Sequence, residues 1–257
     1  MLSKYSAVYF NLYYNRVAIE MIANCIKYWL HLNKIKAPLL VKQSLIECYN
    51  LQKNSKPNWM SSIYVILTKL GFNEIWNNCG TLNQNKFLTE LKLVLKNLYF
   101  EKWEEALLSN PEANKLRTYS KFKTNFKLEP YLLATKNFDK RRLFTQLRIS
   151  AHDLYIETGR YTKPVKTPVE NRICQFCNKN KVEDEFHVVM ECSYYDEFRK
   201  DLTSKLNSFT LYNELPNDAE KFIYLMSGNN GDTEIFGIIT DFTFKIWQKR
   251  KHKTPDE

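Results

Sequence analysis

The chain of 257 residues carries 38 Lys and Arg against 28 Asp and Glu, a formal net charge of +10 at pH 7. Hydrophobic residues make up 44% and charged residues 26%, proportions of a chain that folds around a core; 6 Gly and 8 Pro argue against low complexity and for helix. No run approaches the roughly 18 consecutive apolar residues of a membrane span.

Lys4, Asn11, Asn15 and Arg16 interrupt the first residues, so no secretory signal is expected. The expected setting is intracellular, nuclear or cytoplasmic. The charge predicts a polyanionic partner, RNA or DNA before a membrane. Cys25, Cys48 and Cys79 have no regular spacing and read as small buried hydrophobes in a reducing compartment.

In chain order, Ile22, Ile26, Trp29 and Leu30 form a helical stripe within Val17 to Leu32. Pro38 separates it from a second short helix over Leu39 to Tyr49, and Asn50 to Lys56 reads as a polar turn. Pro57 suits a first helical turn, with Ile63, Ile66, Leu67 and Leu70 as the apolar face and Gly71 as terminator. After Asn77-Asn78-Cys79-Gly80, the clearest helix carries Phe87, Leu91, Leu95, Leu98 and Trp103. Such stripes predict core, and a helical bundle is the simplest object they build.

From Lys115 to Arg148 ten basic residues face two acidic ones, Glu129 and Asp139. Tyr119, Phe122, Phe126, Tyr131, Phe138 and Phe144 are interleaved with them. Cations supply phosphate contacts and aromatic faces supply stacking platforms, so this section predicts a nucleic-acid surface. The candidate contacts are Lys115, Arg117, Lys121, Lys123, Lys140, Arg141, Arg142 and Arg148, with Arg160 beyond them. The bland reading makes the rings core and the charges a solvated face. A helix from Lys140 to about Leu154 is expected to turn Arg141, Arg148 and His152 outward and Leu143, Leu147, Ala151 and Leu154 inward. Tyr161 to Pro168 is a basic, proline-containing connector.

The most specific pattern follows. Cys174, Cys177, His187 and Cys192 are spaced Cys-x2-Cys-x9-His-x4-Cys. Three thiolates and an imidazole complete a tetrahedral shell for one zinc, leaving no position for water, which predicts a structural site. Positions five apart on a helix are rotated by roughly 140°, so Cys192 reaches the metal of His187 only if the helix over Val182 to Glu191 ends there. Ser193, three residues before Asp196, suits the cap of the next helix. Helices are then expected over Tyr194 to Phe209, over Pro216 to Met226, and around Ile235, Ile238, Ile239, Phe242 and Ile246. The closing Lys249-Arg-Lys-His-Lys253 suits a localisation signal, a nucleic-acid arm or a helix terminus.

Three stretches carry a family resemblance. Glu170-Asn-Arg-Ile-Cys-Gln-Phe-Cys through Val182-Glu-Asp-Glu-Phe-His to Cys192-Ser-Tyr-Tyr-Asp-Glu-Phe-Arg199 resembles the C-terminal zinc-binding region of LINE-type retrotransposon reverse transcriptases. Gln146 to Tyr161 strengthens the likeness, and Pro57-Asn-Trp-Met through Leu70-Gly-Phe72 resembles a part further upstream. Ser193 departs from the proline the family often has after its last cysteine. The resemblance implies a post-catalytic region that holds template RNA or target DNA beside an upstream reverse transcriptase domain.

The chain contains no Asp-Asp pair of the polymerase kind. Pro255-Asp256 leaves no room for the partners of a nuclease, and Glu183-Asp184-Glu185 reads as a helix N-terminal turn. No catalysis by this stretch alone is expected. The fold is expected to be mainly α, with a helical bundle over 1–160 and a zinc-stapled helical module over 161–257. The function is expected to be non-catalytic nucleic-acid binding by a retrotransposon-derived fragment. The alternatives are a zinc-stapled protein-interaction scaffold and a piece that completes an upstream catalytic partner.

Overall fold

The computed structural model describes residues 15–34, 38–79, 83–108, 116–229 and 231–252. The protein is mainly α-helical, as expected, and no strand occurs among the described residues. Two compact units divide the chain, Met1–Glu104 and Glu105–Glu257.

In the first unit, α1 (Asn15–Lys34) buries Ala23, Ile26, Trp29 and Leu30. The stripe at three-to-four spacing turns one face inward, as its periodicity predicts. Helix α2 (Leu39–Lys53) runs a turn past the expected Tyr49 and buries no residue fully; Leu45, Cys48 and Tyr49 pack at the edge of the core. Asn58, not Pro57, starts α3 (Trp59–Lys69): its side chain accepts from the amides of Met60 and Ser61 at 2.8 and 3.1 Å, and Pro57 lies just before it. Gly71, at φ +79°, stops α3, and the Phe72 amide donates back to the Leu67 carbonyl at 2.8 Å. Helix α4 (Asn73–Asn77) brings Trp76 flat against Trp29, ring centroids 5.2 Å apart. Helix α5 (Gln84–Leu108) closes this core with Phe87, Leu91 and Leu95. Cys25 is exposed, so it is not the buried hydrophobe the sequence suggested, and Cys48 and Cys79 are half-buried.

The second unit contains α6 (Tyr131–Ala134), α7 (Phe138–Arg148), α8 (Tyr155–Thr158), α9 (Asp196–Leu206), α10 (Thr210–Glu214), α11 (Asp218–Ser227) and α12 (Thr233–Lys251). Helix α12 is its axis, with α6, α7, α9 and α11 all packed on it. Phe236 alone meets Tyr131 at 5.7 Å and Phe144 at 6.1 Å. The unit boundary therefore falls near residue 104 rather than near Arg160. A cut at 160 would part α7 from the helix that buries it.

Helix α7 also stops earlier than its pattern predicts. Ser150 takes the left-handed conformation at φ +52°, and the Ala151 amide donates to the Gln146 carbonyl at 2.8 Å, a helix-ending motif that usually employs glycine. A serine stands there because its hydroxyl donates to the buried Glu185.

Candidate functional site

The first cysteine pair sits on a short hairpin. Ile173 and Val182 bridge in antiparallel fashion, the Cys174 amide donates to the Lys181 carbonyl at 2.8 Å, and Asn180 turns the chain at φ +50°. The second pair sits on a π turn over His187–Glu191, where the Cys192 amide donates to the His187 carbonyl at 2.7 Å. The expected α-helix over this stretch is replaced for a physical reason. A bond reaching five residues widens the turn and brings Cys192 back over His187, which α-helical rotation would not do.

Cys174, Cys177, His187 and Cys192 thus each offer one ligand atom, all within 4.8 Å of one another, and the cluster can hold a metal ion. The sulfurs of Cys174 and Cys192 are 3.8 Å apart, and His187 Nε2 lies 3.4 Å from the Cys177 sulfur. His187 Nδ1 faces the Glu191 carboxylate at 3.2 Å; with Nδ1–H donating there, Nε2 presents its lone pair to the cluster. Glu191 is legible in retrospect, four positions after His187, and is held in turn by Lys181.

The donors compete for protons. The bond shared with Cys192, and then burial, push the Cys174 thiol up to about 12, while the same bond lowers Cys192. Burial pulls His187 down, but hydrogen bonds with Cys174, Glu191 and Cys177 outweigh it and carry the ring up to about 9. Metal binding here must expel protons and weakens as pH falls.

Arg199 on α9 closes the stretch that carries the resemblance, but no local pattern gives its role. Its guanidinium donates to the carbonyls of Val189 at 3.0 Å, Val188 at 3.3 Å and Cys192 at 2.9 Å, satisfying the end of the π turn. The expected Ser193 cap does not form: Ser193 begins a 3-10 turn and its side chain caps nothing.

Glu183-Asp184-Glu185 divides its labour. Asp184 alone acts as a helix-start carboxylate, accepting from the His187 amide at 2.7 Å. Glu183 is buried, pairs with Arg250 and accepts from the Tyr155 amide at 2.7 Å. Glu185 is buried among Arg117, Thr118, Ser150 and His152. The basic tail is likewise engaged: Arg250 lies 4.5 Å from the Phe176 ring and Lys249 lies 4.6 Å from that of Tyr194. Lys253 lies outside the described residues.

Much of the expected nucleic-acid surface is interior. Arg148 is 2% exposed, paired to Glu129 at 2.7 Å and enclosed by Phe122, Tyr131, Phe144 and Tyr119. It does not point outward with Arg141, and His152 is turned inward to Glu185. Lys123 is buried on the same Glu129 at 2.8 Å. Arg117 bridges Glu157 and Glu185, and Arg160 pairs with Glu157 at 3.2 Å. Arg141 donates to the Thr135 carbonyl at 3.2 Å.

The reason is desolvation: a buried cation needs an anion beside it, and these acids supply one. Lys121 and Arg142 are exposed and Lys140 is half-buried beside Asp241; Lys115 lies outside the described residues. Phe138 is 66% exposed, whereas Phe122 is core.

No helix among the described residues is long and apolar enough to cross a membrane. No family model, curated protein or solved structure matches the chain.

Proposed function

We propose that this chain is the post-catalytic, nucleic-acid-binding region of a LINE-type reverse transcriptase, organised by one structural zinc ion. The observation that carries the reading is the closed set of three sulfurs and one imidazole nitrogen. Zn–S and Zn–N bonds of about 2.3 and 2.0–2.1 Å place tetrahedral ligand atoms roughly 3.5–3.8 Å apart. The 3.8 and 3.4 Å separations agree with two edges of that tetrahedron, all six lying within 4.8 Å, and soft thiolates favour zinc over calcium or magnesium. When bound, zinc supplies folding free energy. The four side chains fill the shell, so they shape the fold rather than activate a substrate.

Support for nucleic acid comes from the net charge of +10 and from the family resemblance of the Cys/His stretch. On the second unit the contacts fall to Lys121, Lys140 and Arg142, with Phe138 beside them; the upstream partner would be the polymerase domain. A scaffold reading gains from the burial of Lys123 and Arg148 and the double pairing of half-buried Arg117, which leave fewer cations for a phosphate backbone.

Titration of the intact protein against RNA and DNA at several salt concentrations separates the two readings. Changing Lys121, Lys140 and Arg142 to Gln should weaken binding across sequences and flatten the salt slope by about 0.7–0.9 per contact. Absence of any salt-dependent binding by the unaltered chain refutes the nucleic-acid reading and favours the scaffold. Metal analysis of the purified protein should find one zinc per chain.

A further inference from the structure

The first unit carries an exposed aromatic pair that its core does not use. Tyr28 on α1 is 58% exposed and Trp59, at the start of α3, is 41% exposed. Their ring centroids lie 6.2 Å apart with 40° between planes. Each stands next to a residue that is fully buried, Trp29 and Met60, so both helices are anchored while these two rings face water. Asn58 fixes the entry of α3 through its cap bonds and donates to the Cys48 carbonyl at 3.2 Å, which holds Trp59 in place. Leaving two large rings exposed forfeits the burial of their apolar surface.

The charge of the stretch that carries the pair is mostly positive. Between Glu20 and Glu74 the only acidic residue is Glu47, against seven lysines. Lys27 and His31 share the exposed side of α1 with Tyr28, Lys34 follows one turn later, and Lys56 lies three residues before Trp59. Glu20, the acid on α1, is a helix-half away and is paired with Lys92 at 2.8 Å.

From this we infer that Tyr28 and Trp59 form a stacking platform for unpaired bases of a single-stranded nucleic acid, with Lys27 and Lys56 on its phosphates. The inference rests on the nucleic-acid reading above and places a contact surface in the first unit, outside the basic section of residues 115–148. Unpaired bases expose faces that rings can cover, whereas a duplex hides them, and lysines flanking the rings follow the backbone of the same strand. Tilted rings suit successive bases that leave a regular stack.

Fluorescence anisotropy of the full chain with a labelled oligo(dT) or oligo(U), and with a duplex of equal length, tests it. Tyr28→Leu and Trp59→Leu should each weaken single-strand binding about 5- to 150-fold, the equivalent of 1–3 kcal/mol per base. Duplex binding should change far less, and Tyr28→Phe and Trp59→Phe should retain most of the affinity. Lys27→Gln with Lys56→Gln should flatten the single-strand salt slope by about 0.7 per contact.

Circular dichroism identifies any variant that fails to fold, and ultraviolet crosslinking of oligo(dT) to the unaltered protein needs no variant. Crosslinks at Tyr28 or Trp59 are expected. Crosslinks confined to other residues, or an equal loss for single strand and duplex, overturn the platform while leaving nucleic-acid binding intact. An unaltered chain that binds neither probe overturns both.

Discussion

Residues 1–104 hold thirteen basic and six acidic side chains, and residues 105–257 hold twenty-five and twenty-two. The first unit nevertheless has the greater excess of positive charge. It keeps that charge outside a core of Trp29, Leu67, Leu91 and their neighbours, while the second unit draws charge inward. Every buried carboxylate among the described residues, Glu129, Glu157, Glu183 and Glu185, belongs to the second unit. Each is matched by a cation, and the metal-ligand cluster lies among them in sequence. A local run of basic residues therefore says where cations occur, not which way they face. Glu129, one of two acids in the basic section, is the hub on which Lys123 and Arg148 converge.

The two units should differ most visibly when the proposed metal site is disabled. Cys177→Ser, or a chelator, should unfold the second unit as a whole, residues 116–160 included, and leave the first unit helical. The expected loss is large because zinc affinity in small structural sites is worth about 10–16 kcal/mol of folding free energy. Hydrogen exchange read by mass spectrometry checks it. Protection that persists over 116–160 while 161–252 opens would restore the boundary near Arg160.

Next in size, Glu129→Gln strands Arg148 and Lys123 without an anion, and should cost about 3–5 kcal/mol in urea unfolding of the second unit. An equal change in the first unit's transition would show that the units do not melt separately.

A third difference is acid sensitivity. Burial alone would raise Glu129, but Arg148, Lys123 and the Tyr119 hydroxyl outweigh it and hold the carboxyl below its ordinary value. For Glu185, burial is likewise outweighed by His152, Arg117 and Ser150, and its carboxyl is lowered too. A lowered folded-state pKa contributes stability that is present above the unfolded value of about 4.3 and is lost as pH falls below it. The second unit should therefore weaken below about pH 4.3 by more than the first. Parallel acid titration of unit-specific tryptophan fluorescence, Trp247 against Trp29, distinguishes them.

The smallest effect sharpens the picture of the first unit. Asn58→Ala should cost about 1 kcal/mol by removing a helix cap, without altering the second unit's midpoint.

Helices and their inward faces were legible because those signals are local: Ile26, Trp29 and Leu30 follow helical spacing, and Gly71 stops its helix where expected. The metal ligands were legible because chelation restricts loop lengths. The ion pairs were not. Arg117 and Glu185 are separated by 68 positions, and nothing near either residue names the other. Nor could α-helical rotation reveal the π turn that lets His187 and Cys192 converge. Arg199 closes the same stretch as the cysteines, yet nothing in the pattern says that it occupies carbonyl oxygens.

The position of α12 sets an order of assembly. On a ribosome, Tyr131, Leu143 and Phe144 emerge well before Thr233–Lys251, the helix against which they are packed. The first unit can complete its core while this happens, since α1 to α5 contact one another early in synthesis. The second must keep apolar side chains waiting across the whole Cys/His stretch, and long-range closure of this kind is slow. The newborn second unit thus keeps apolar surface exposed until α12 arrives.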